Sequence, residues 1–394
     1  MPLSPEILDF IRKHLQDDPN RLSFQRKNYP DNRVDIAVEQ IRARKRIKEK
    51  LPSWFANPDI YYPSELATEQ CSSEHTAAYK AGLIAGNTVC DLTGGLGVDS
   101  YFFSRSADNV TYVEQNPLYC KAARHNFQVL GAGNIEVIHA NATQVVERLA
   151  ANTFYIDPSR RTHDNKRIFA LADYEPNVLD IKELLLAQGK RLIVKISPMA
   201  DISAILDLLP ETTDVHVLSV KNECKELLFV LDSTPEKKDV IVHAVNFPSS
   251  EVEQDFTFTL EEEKEAQPQF TSTIGKYLYE PNSSILKGGA FKLTANRHGF
   301  KKLHKNSHLY TGDELICNFP GRIFQVEQVF DFSSKWLKQI ARTIPKANIT
   351  TRNFKLSADE IRSRSKIKDG GDIFLLATTL NNDNAVIIQC RKPI

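Results

Sequence analysis

The stretch Val89-Cys90-Asp91-Leu92-Thr93-Gly94-Gly95-Leu96-Gly97-Val98-Asp99-Ser100 runs from an apolar strand into a glycine-rich turn and then a helix. Glycines let backbone pass close to a ligand, and amides at a helix start can face it. A dinucleotide fingerprint would want a third glycine about where Ser100 stands. Here the acidic Asp91 precedes the glycines, an order that favours a different nucleotide-like ligand. Glu114 ends the next apolar run, where a carboxylate could accept both hydroxyls of a ribose. Asn141 follows a third run, Ile135 to His139. Three polar residues at successive strand ends define one crevice edge, which is where open α/β sheets bind ligands. A fourth run delivers Tyr155-Ile156-Asp157-Pro158-Ser159-Arg160-Arg161. It offers a carboxylate and a guanidinium suited to phosphate, unless Asp157 and Arg160 simply pair with each other.

These residues need a scaffold of alternating elements. Apolar runs at 88–92, 110–114, 135–139, 153–157 and 192–196 are separated by helical stretches, the signature of βα units in a parallel sheet. The runs at 215–220, 226–231 and 240–245 lack long helices between them and predict antiparallel closing strands. Upstream, Ser4 caps a helix with Pro5 at its first position. A second helix over about 32–50 buries Val34, Ala37, Val38 and Ile41. Arg42, Arg44, Lys45, Arg46, Lys48 and Lys50 near its end read as a solvated face or as an RNA-backbone contact. The acidic, Pro-terminated stretch 261–268 reads as a linker, an exposed turn or a surface loop. Ser357 with Glu360 predicts a capping box, and the runs 373–379 and 385–390 predict a hairpin.

The 394 residues carry 50 Lys plus Arg and 50 Asp plus Glu, with 41% hydrophobic content. Such a chain is expected to form two or three domains with packed cores, which excludes wholesale disorder. No run approaches the roughly 18 apolar residues of a membrane span, and the start lacks a signal-like pattern. The expected location is cytoplasmic, with no membrane partner. Six scattered cysteines without a CxxC pair predict reduced thiols, with neither a disulfide framework nor a zinc ribbon. His304 and His308 would stand one helical turn apart but lack an HExxH-type acidic partner. A basic surface is the better reading of that segment, and no metal is expected.

Over about residues 61–245 the chain resembles the class I S-adenosylmethionine-dependent methyltransferases. The resemblance implies that Asp91, Thr93, Gly94, Gly95 and Gly97 hold the methionine part of S-adenosylmethionine and that Glu114 holds the ribose. It implies that Asn141, where the family usually has Asp, reads the adenine amino group. By position, 69–76 resembles the segment that closes over the cofactor. Ser72 and Ser73 there either bond its carboxylate or cap the following helix. In nitrogen-directed members the acceptor motif is an acid or Asn, two prolines and an aromatic. Asp157 and Pro158 match its first half and imply an acceptor amine held by the Asp157 side chain and the Pro158 carbonyl. Arg160 replaces the aromatic, and it or Arg161 would hold a neighbouring phosphate. Uridine carbon-5 methyltransferases share a DP-x-R motif but add a Cys after the fifth strand. Lys195-Ile196-Ser197-Pro198-Met199 has none, which disfavours a covalent mechanism.

Residues 285–394 contain 19 Lys and Arg against 9 Asp and Glu, so the neutral total hides a C-terminal part of net +10. Lys301, Lys302, Lys305, Arg352, Arg362, Arg364 and Lys366 alternate with Phe291, Phe300, Tyr310 and Phe354. The pattern suits an RNA with exposed bases, or else ordinary surface cations over core aromatics. The last seventy or so residues resemble the THUMP-like domain of a bacterial methyltransferase family, and about 277–321 resembles the ferredoxin-like domain before it.

The expected fold class is α/β, a Rossmann-like seven-stranded methyltransferase sheet with an N-terminal helical segment and small α+β C-terminal domains. Expected boundaries are 1–60 helical, 61–270 methyltransferase, 271–321 ferredoxin-like and 322–394 THUMP-like. The expected activity is methylation of a base nitrogen in structured RNA, tRNA or rRNA. The rivals are an RNA-binding protein without catalysis and a methyltransferase acting on protein or a small molecule. A nicotinamide oxidoreductase is set back by the Asp91 and glycine order.

Overall fold

The computed structural model describes residues 3–24, 33–160, 171, 174–234, 239–249 and 252–393. The chain divides into two compact units, Met1–Val215 with Glu226–Lys238, and His216–Lys225 with Asp239–Ile394. The second unit therefore takes in strands that lie ahead of the sequence-based boundary at 270.

The first unit opens with helices α1 (Pro5–His14), α2 (Pro19–Phe24) and α3 (Arg33–Ile47). The Ser4 hydroxyl accepts from the Ile7 amide, which is the expected cap. Ile7 and Ile11 pack with Val34, Ala37, Val38 and Ile41 in one apolar cluster. The basic end of α3 is only partly the expected solvated face: Lys45, Arg46 and Lys48 are exposed, and Arg44 is not. Arg44 is buried and donates to the carbonyls of Asn57, Pro58 and Ile60. Arg46 pairs with Glu65 and Glu69, and Lys50 donates to the carbonyls of Thr68 and Glu69. These cations tie α3 to the segment leading into the sheet.

The sheet strands are β1 (Thr88–Asp91), β2 (Asn109–Glu114), β3 (Ile135–His139), β4 (Thr153–Ile156) and β5 (Arg191–Ile196), followed by β6 (Thr212–Val220) and β7 (Glu223–Asp232). Within the first unit they lie in the order β7-β5-β4-β1-β2-β3. Every pair is parallel except β5 with β7, which is antiparallel as expected. Phe154, Tyr155 and Ile156 are all buried because helices cover both faces of the central strands. Parallel strands bring their C-terminal ends to one edge, so Asp91, Glu114, His139 and Ile156 all feed loops on the same side.

In the second unit, strands Ile241–Phe247 and Gln254–Thr259 pair antiparallel, and the second of them was not expected from sequence. Gly288 of helix Ser283–Gly288 lies against Val242 and Phe258, which joins this hairpin to the C-terminal part. The acidic stretch is not a linker: Leu260–Glu265 is a short helix. Thr259 and Glu262 close a capping box at its start, so carboxylates cluster where the helix dipole favours them. Strands Tyr277–Pro281, Gly321–Asp331, Ala385–Arg391, Phe374–Thr379 and Asn348–Arg352 follow one another across a second sheet. The Ser357–Glu360 capping box and the hairpin of 374–379 with 385–391 match the sequence. His304 and His308 lie in an irregular turn, so they are not stacked on a helix. His308 instead stacks on Phe291 at 3.7 Å.

Candidate active site

The glycine loop is built on Asp91. Its carboxylate accepts from the Thr93 amide at 3.0 Å and the Ser100 hydroxyl at 2.5 Å, fixing both ends of the turn. Tyr112 supports the loop from below, donating its hydroxyl to the Gly95 carbonyl at 2.6 Å. A Cβ on Gly94 would lie 2.1 Å from the Tyr112 ring, so only glycine fits there. Gly97 has φ +86°, and a Cβ would meet Phe127 at 2.7 Å. Glu114 receives the Gly95 amide at 2.9 Å and the Asn116 amide at 2.7 Å, so it closes the loop from β2.

Burial pushes the Asp91 carboxyl up to about 7, against the pull of the Ser100 hydroxyl and the Thr93 amide. A folded-state value raised above the usual one near 3.8 gives a contribution that is full below that value and lost as pH rises through about 7. In Asp91→Asn the amide oxygen can accept from the Thr93 amide and the NH2 group can donate to the Ser100 hydroxyl oxygen, without titrating. The native chain is therefore expected to lose stability relative to Asp91→Asn between pH 5 and 8, read as the difference in Tm. A pH-independent difference would refute this account of Asp91.

A cavity of about 720 Å³ opens at this strand edge. Thr93, Gly94, Gly95, Gly97, Glu114, Asn141 and Ser72 line it, and so do Asp157 and Pro158. Asp91 is not part of its wall; it is 1% exposed and turned into the loop. Ser73 does not reach the cavity either, because its hydroxyl caps helix Glu74–Ala81 by accepting from the Thr76 amide. Of the two serines, Ser73 takes the capping role and Ser72 lines the cavity. Asn141 also caps a helix: its carbonyl oxygen accepts from Thr143, and its amide nitrogen points to Gln115 Oε1 at 3.3 Å. The backbone of Arg160 pairs with Tyr174, while its side chain and all of Arg161 lie outside the described residues.

Behind the cavity lies a charge network that no motif revealed. Lys80, with no exposed surface, meets Asp99 at 2.9 Å, Glu226 at 3.1 Å and the Ser72 hydroxyl at 2.6 Å. Asp99 in turn accepts from Ser72 at 2.8 Å and the Tyr155 hydroxyl at 3.0 Å. Lys195 is 2.6 Å from Asp157 and 3.7 Å from Glu226. Burial works against its charge, but Asp157, Glu226 and Asp99 outweigh that and hold its pKa above the usual lysine value. The Asp157 amide donates to the Thr93 hydroxyl at 2.7 Å, which fastens the end of β4 to the glycine loop. The available sequence signal was a lone Lys in the apolar run 191–196.

A ferredoxin-like domain model matches residues 277–320, and a THUMP domain-like model matches 321–392. Uncharacterised S-adenosylmethionine-dependent methyltransferases of two Mycobacterium tuberculosis strains, CDC 1551 / Oshkosh and H37Rv, are each 22% identical over 357 residues. That match covers 89% of this chain and 94% of theirs. A crystal structure assigned as a methyltransferase from Porphyromonas gingivalis W83 is 35% identical, with a TM-score of 0.88, covering 99% of this chain and 98% of that one. The chain belongs to this family of S-adenosylmethionine-dependent methyltransferases.

The cavity fits the methyl donor of such a methyltransferase. Among its described lining residues, Asp99, Glu114, Asp157 and Glu175 outnumber the single cation Lys195, an excess that favours a sulfonium.

In the C-terminal unit of the methyltransferase, Lys302 departs from the expected basic surface. Lys302 is 2% exposed; burial, reinforced by Lys292 and opposed by Glu263, pulls its ammonium down to about 8. Arg362 pairs with Asp359 and Asp369, and Arg352 pairs with Glu280. Lys301, Lys305 and Lys366 are exposed, and Arg364 pairs loosely with Glu360 at 3.6 Å. Phe300 and Tyr310 are core residues, and Phe354 packs against the core of residues 337–387. Phe300 and Tyr310 therefore offer no stacking surface, whereas Phe291 and Phe354 are only partly buried. Among the described residues, no helix is long and apolar enough to cross a membrane.

Proposed function

We propose that this methyltransferase transfers the methyl group to a base nitrogen of structured RNA, tRNA or rRNA. The observation that carries the reading is a single cavity whose wall includes both the glycine loop with Glu114 and Asn141 and the acceptor pair Asp157–Pro158. S-adenosylmethionine, when bound, supplies a methyl group already activated by its sulfonium, so the protein chiefly has to orient the nucleophile. Gly95, Gly97, Thr93 and Ser72 would hold its methionine part, Glu114 the ribose and Asn141 the adenine. Asp91 acts beneath them by fixing the loop.

Asp157 accepts a hydrogen bond from the acceptor nitrogen, and the Pro158 carbonyl can accept a second. Lys195 keeps the Asp157 carboxylate aimed into the cavity. The THUMP-like match and the net +10 of residues 285–394 support RNA over a small molecule. The deciding experiment incubates the purified protein with labelled S-adenosylmethionine and RNA from cells lacking the gene, then digests the RNA to nucleosides. Label on a base nitrogen is expected; label only in protein or small molecules would overturn the RNA reading.

A further inference from the structure

Glu280 is 1% exposed and receives two arginines at once. Arg322 lies directly across from it on the neighbouring strand and donates Nε to Oε2 at 2.7 Å. Arg352, at the end of the edge strand Asn348–Arg352, donates Nε to Oε1 at 2.9 Å, with Nη2 at 2.8 Å. One guanidinium would compensate a buried carboxylate, so the second leaves the cluster with a net charge of +1. Both arginines remain half-exposed, at 42% and 38% of side-chain surface. The Nη1 group of neither has a hydrogen-bond partner among the described residues, and the Arg322 guanidinium lies over the Phe324 ring at 5.6 Å. Two exposed donors are thus held rigidly by one anion that solvent barely reaches.

The backbone on each side is also fixed. Gly321 presses so closely on the Glu280 carbonyl that a Cβ would fall 2.2 Å from it. After Arg352, the Asn353 side chain meets His304 Nδ1 at 2.9 Å, and its carbonyl accepts from Thr379 at 2.7 Å. Guanidiniums immobilised in this way lose little freedom on gripping a planar or tetrahedral oxyanion, and their fork geometry suits phosphate oxygens.

We propose that Arg322 and Arg352, splayed by Glu280, form a clamp for a backbone phosphate of the RNA. The proposal rests on the RNA reading above and adds a specific contact to it. The other exposed cations named above, Lys301, Lys305 and Lys366, would then supply diffuse attraction, and this pair would fix register.

The test uses the full chain and fluorescein-labelled bulk tRNA in a salt series. Arg322→Gln and Arg352→Gln each leave Glu280 one guanidinium, so neither orphans a buried charge. Each is expected to weaken binding about tenfold and to reduce the slope of log affinity against log salt by about one. Arg391→Gln, which removes a cation paired with exposed Glu327, controls for the loss of one surface charge and should change affinity less than twofold. Should either clamp variant behave like Arg391→Gln, or the native chain fail to bind tRNA, the clamp is overturned. Methyl transfer to RNA that persists with normal binding in both clamp variants defeats the clamp alone. Arginine-dependent binding without methyl transfer defeats the catalytic reading and leaves the clamp standing.

Discussion

Asp157→Ala is expected to lose about 100-fold or more of the methyl-transfer rate, a loss typical of removing one positioned polar group, while binding S-adenosylmethionine within a few fold of the native chain. The two effects separate because the carboxylate faces the cavity while its backbone is held independently, by the amide bond to the Thr93 hydroxyl at 2.7 Å. Truncation also leaves no bare buried charge, since Lys195 retains Glu226 at 3.7 Å. The residues assigned to ribose and adenine, Glu114 and Asn141, stand on β2 and after β3. Asp157→Asn should recover much of the rate, because its carbonyl still accepts a hydrogen bond. Lys195→Met should lower kcat more than it raises KM, since the carboxylate then lacks the cation that aims it, and Lys195→Arg should restore part of the loss. Single-turnover transfer to RNA, with calorimetry for the donor, separates these outcomes. An unchanged kcat in Asp157→Ala would remove Asp157 from the acceptor site.

Local patterns were legible and distant pairings were not. The glycine turn, the acid at the end of β2 and the Asp157-Pro158 stretch each occupy a few consecutive residues, and parallel-sheet topology alone brings their strand ends together. The two serines could not be assigned from sequence, because a helix cap and a cavity-lining hydroxyl have the same local signature. Arg44 was misread for a different reason. Its charge marks a surface position in any helical pattern, yet three loop carbonyls between 57 and 60 accept from its two Nη groups in the interior. The same applies to Lys302, whose neighbours Lys301 and Lys305 are exposed. Lys80 and Glu226 are 146 positions apart and meet only because β7 returns beside β5. No spacing rule connects them.

That network makes Lys80→Met the substitution with the largest expected cost to the fold. Methionine fills most of the same space, but it leaves Asp99 and Glu226 facing each other's vicinity without the ammonium that both contact. Removing one partner from a buried ion pair costs about 3 to 5 kcal/mol, against a total stability of only about 5 to 15 kcal/mol. The loss should depend on pH in a definite sense. Burial alone would raise the Asp99 carboxyl, but Lys80 and then Lys195 more than offset it and hold its pKa below the usual value. A depressed carboxylate contributes stability that is present above its unfolded value, near 3.8, and is lost as pH falls through the folded one. The gap between native chain and variant should therefore be widest at neutral pH and narrow below about pH 4, as followed by urea unfolding. Adding Glu226→Gln to Lys80→Met removes one stranded anion and should recover part of the stability, with a coupling energy that a double-mutant cycle can read. Additive effects of the two substitutions would mean that Lys80 and Glu226 do not act as one unit, despite their 3.1 Å contact.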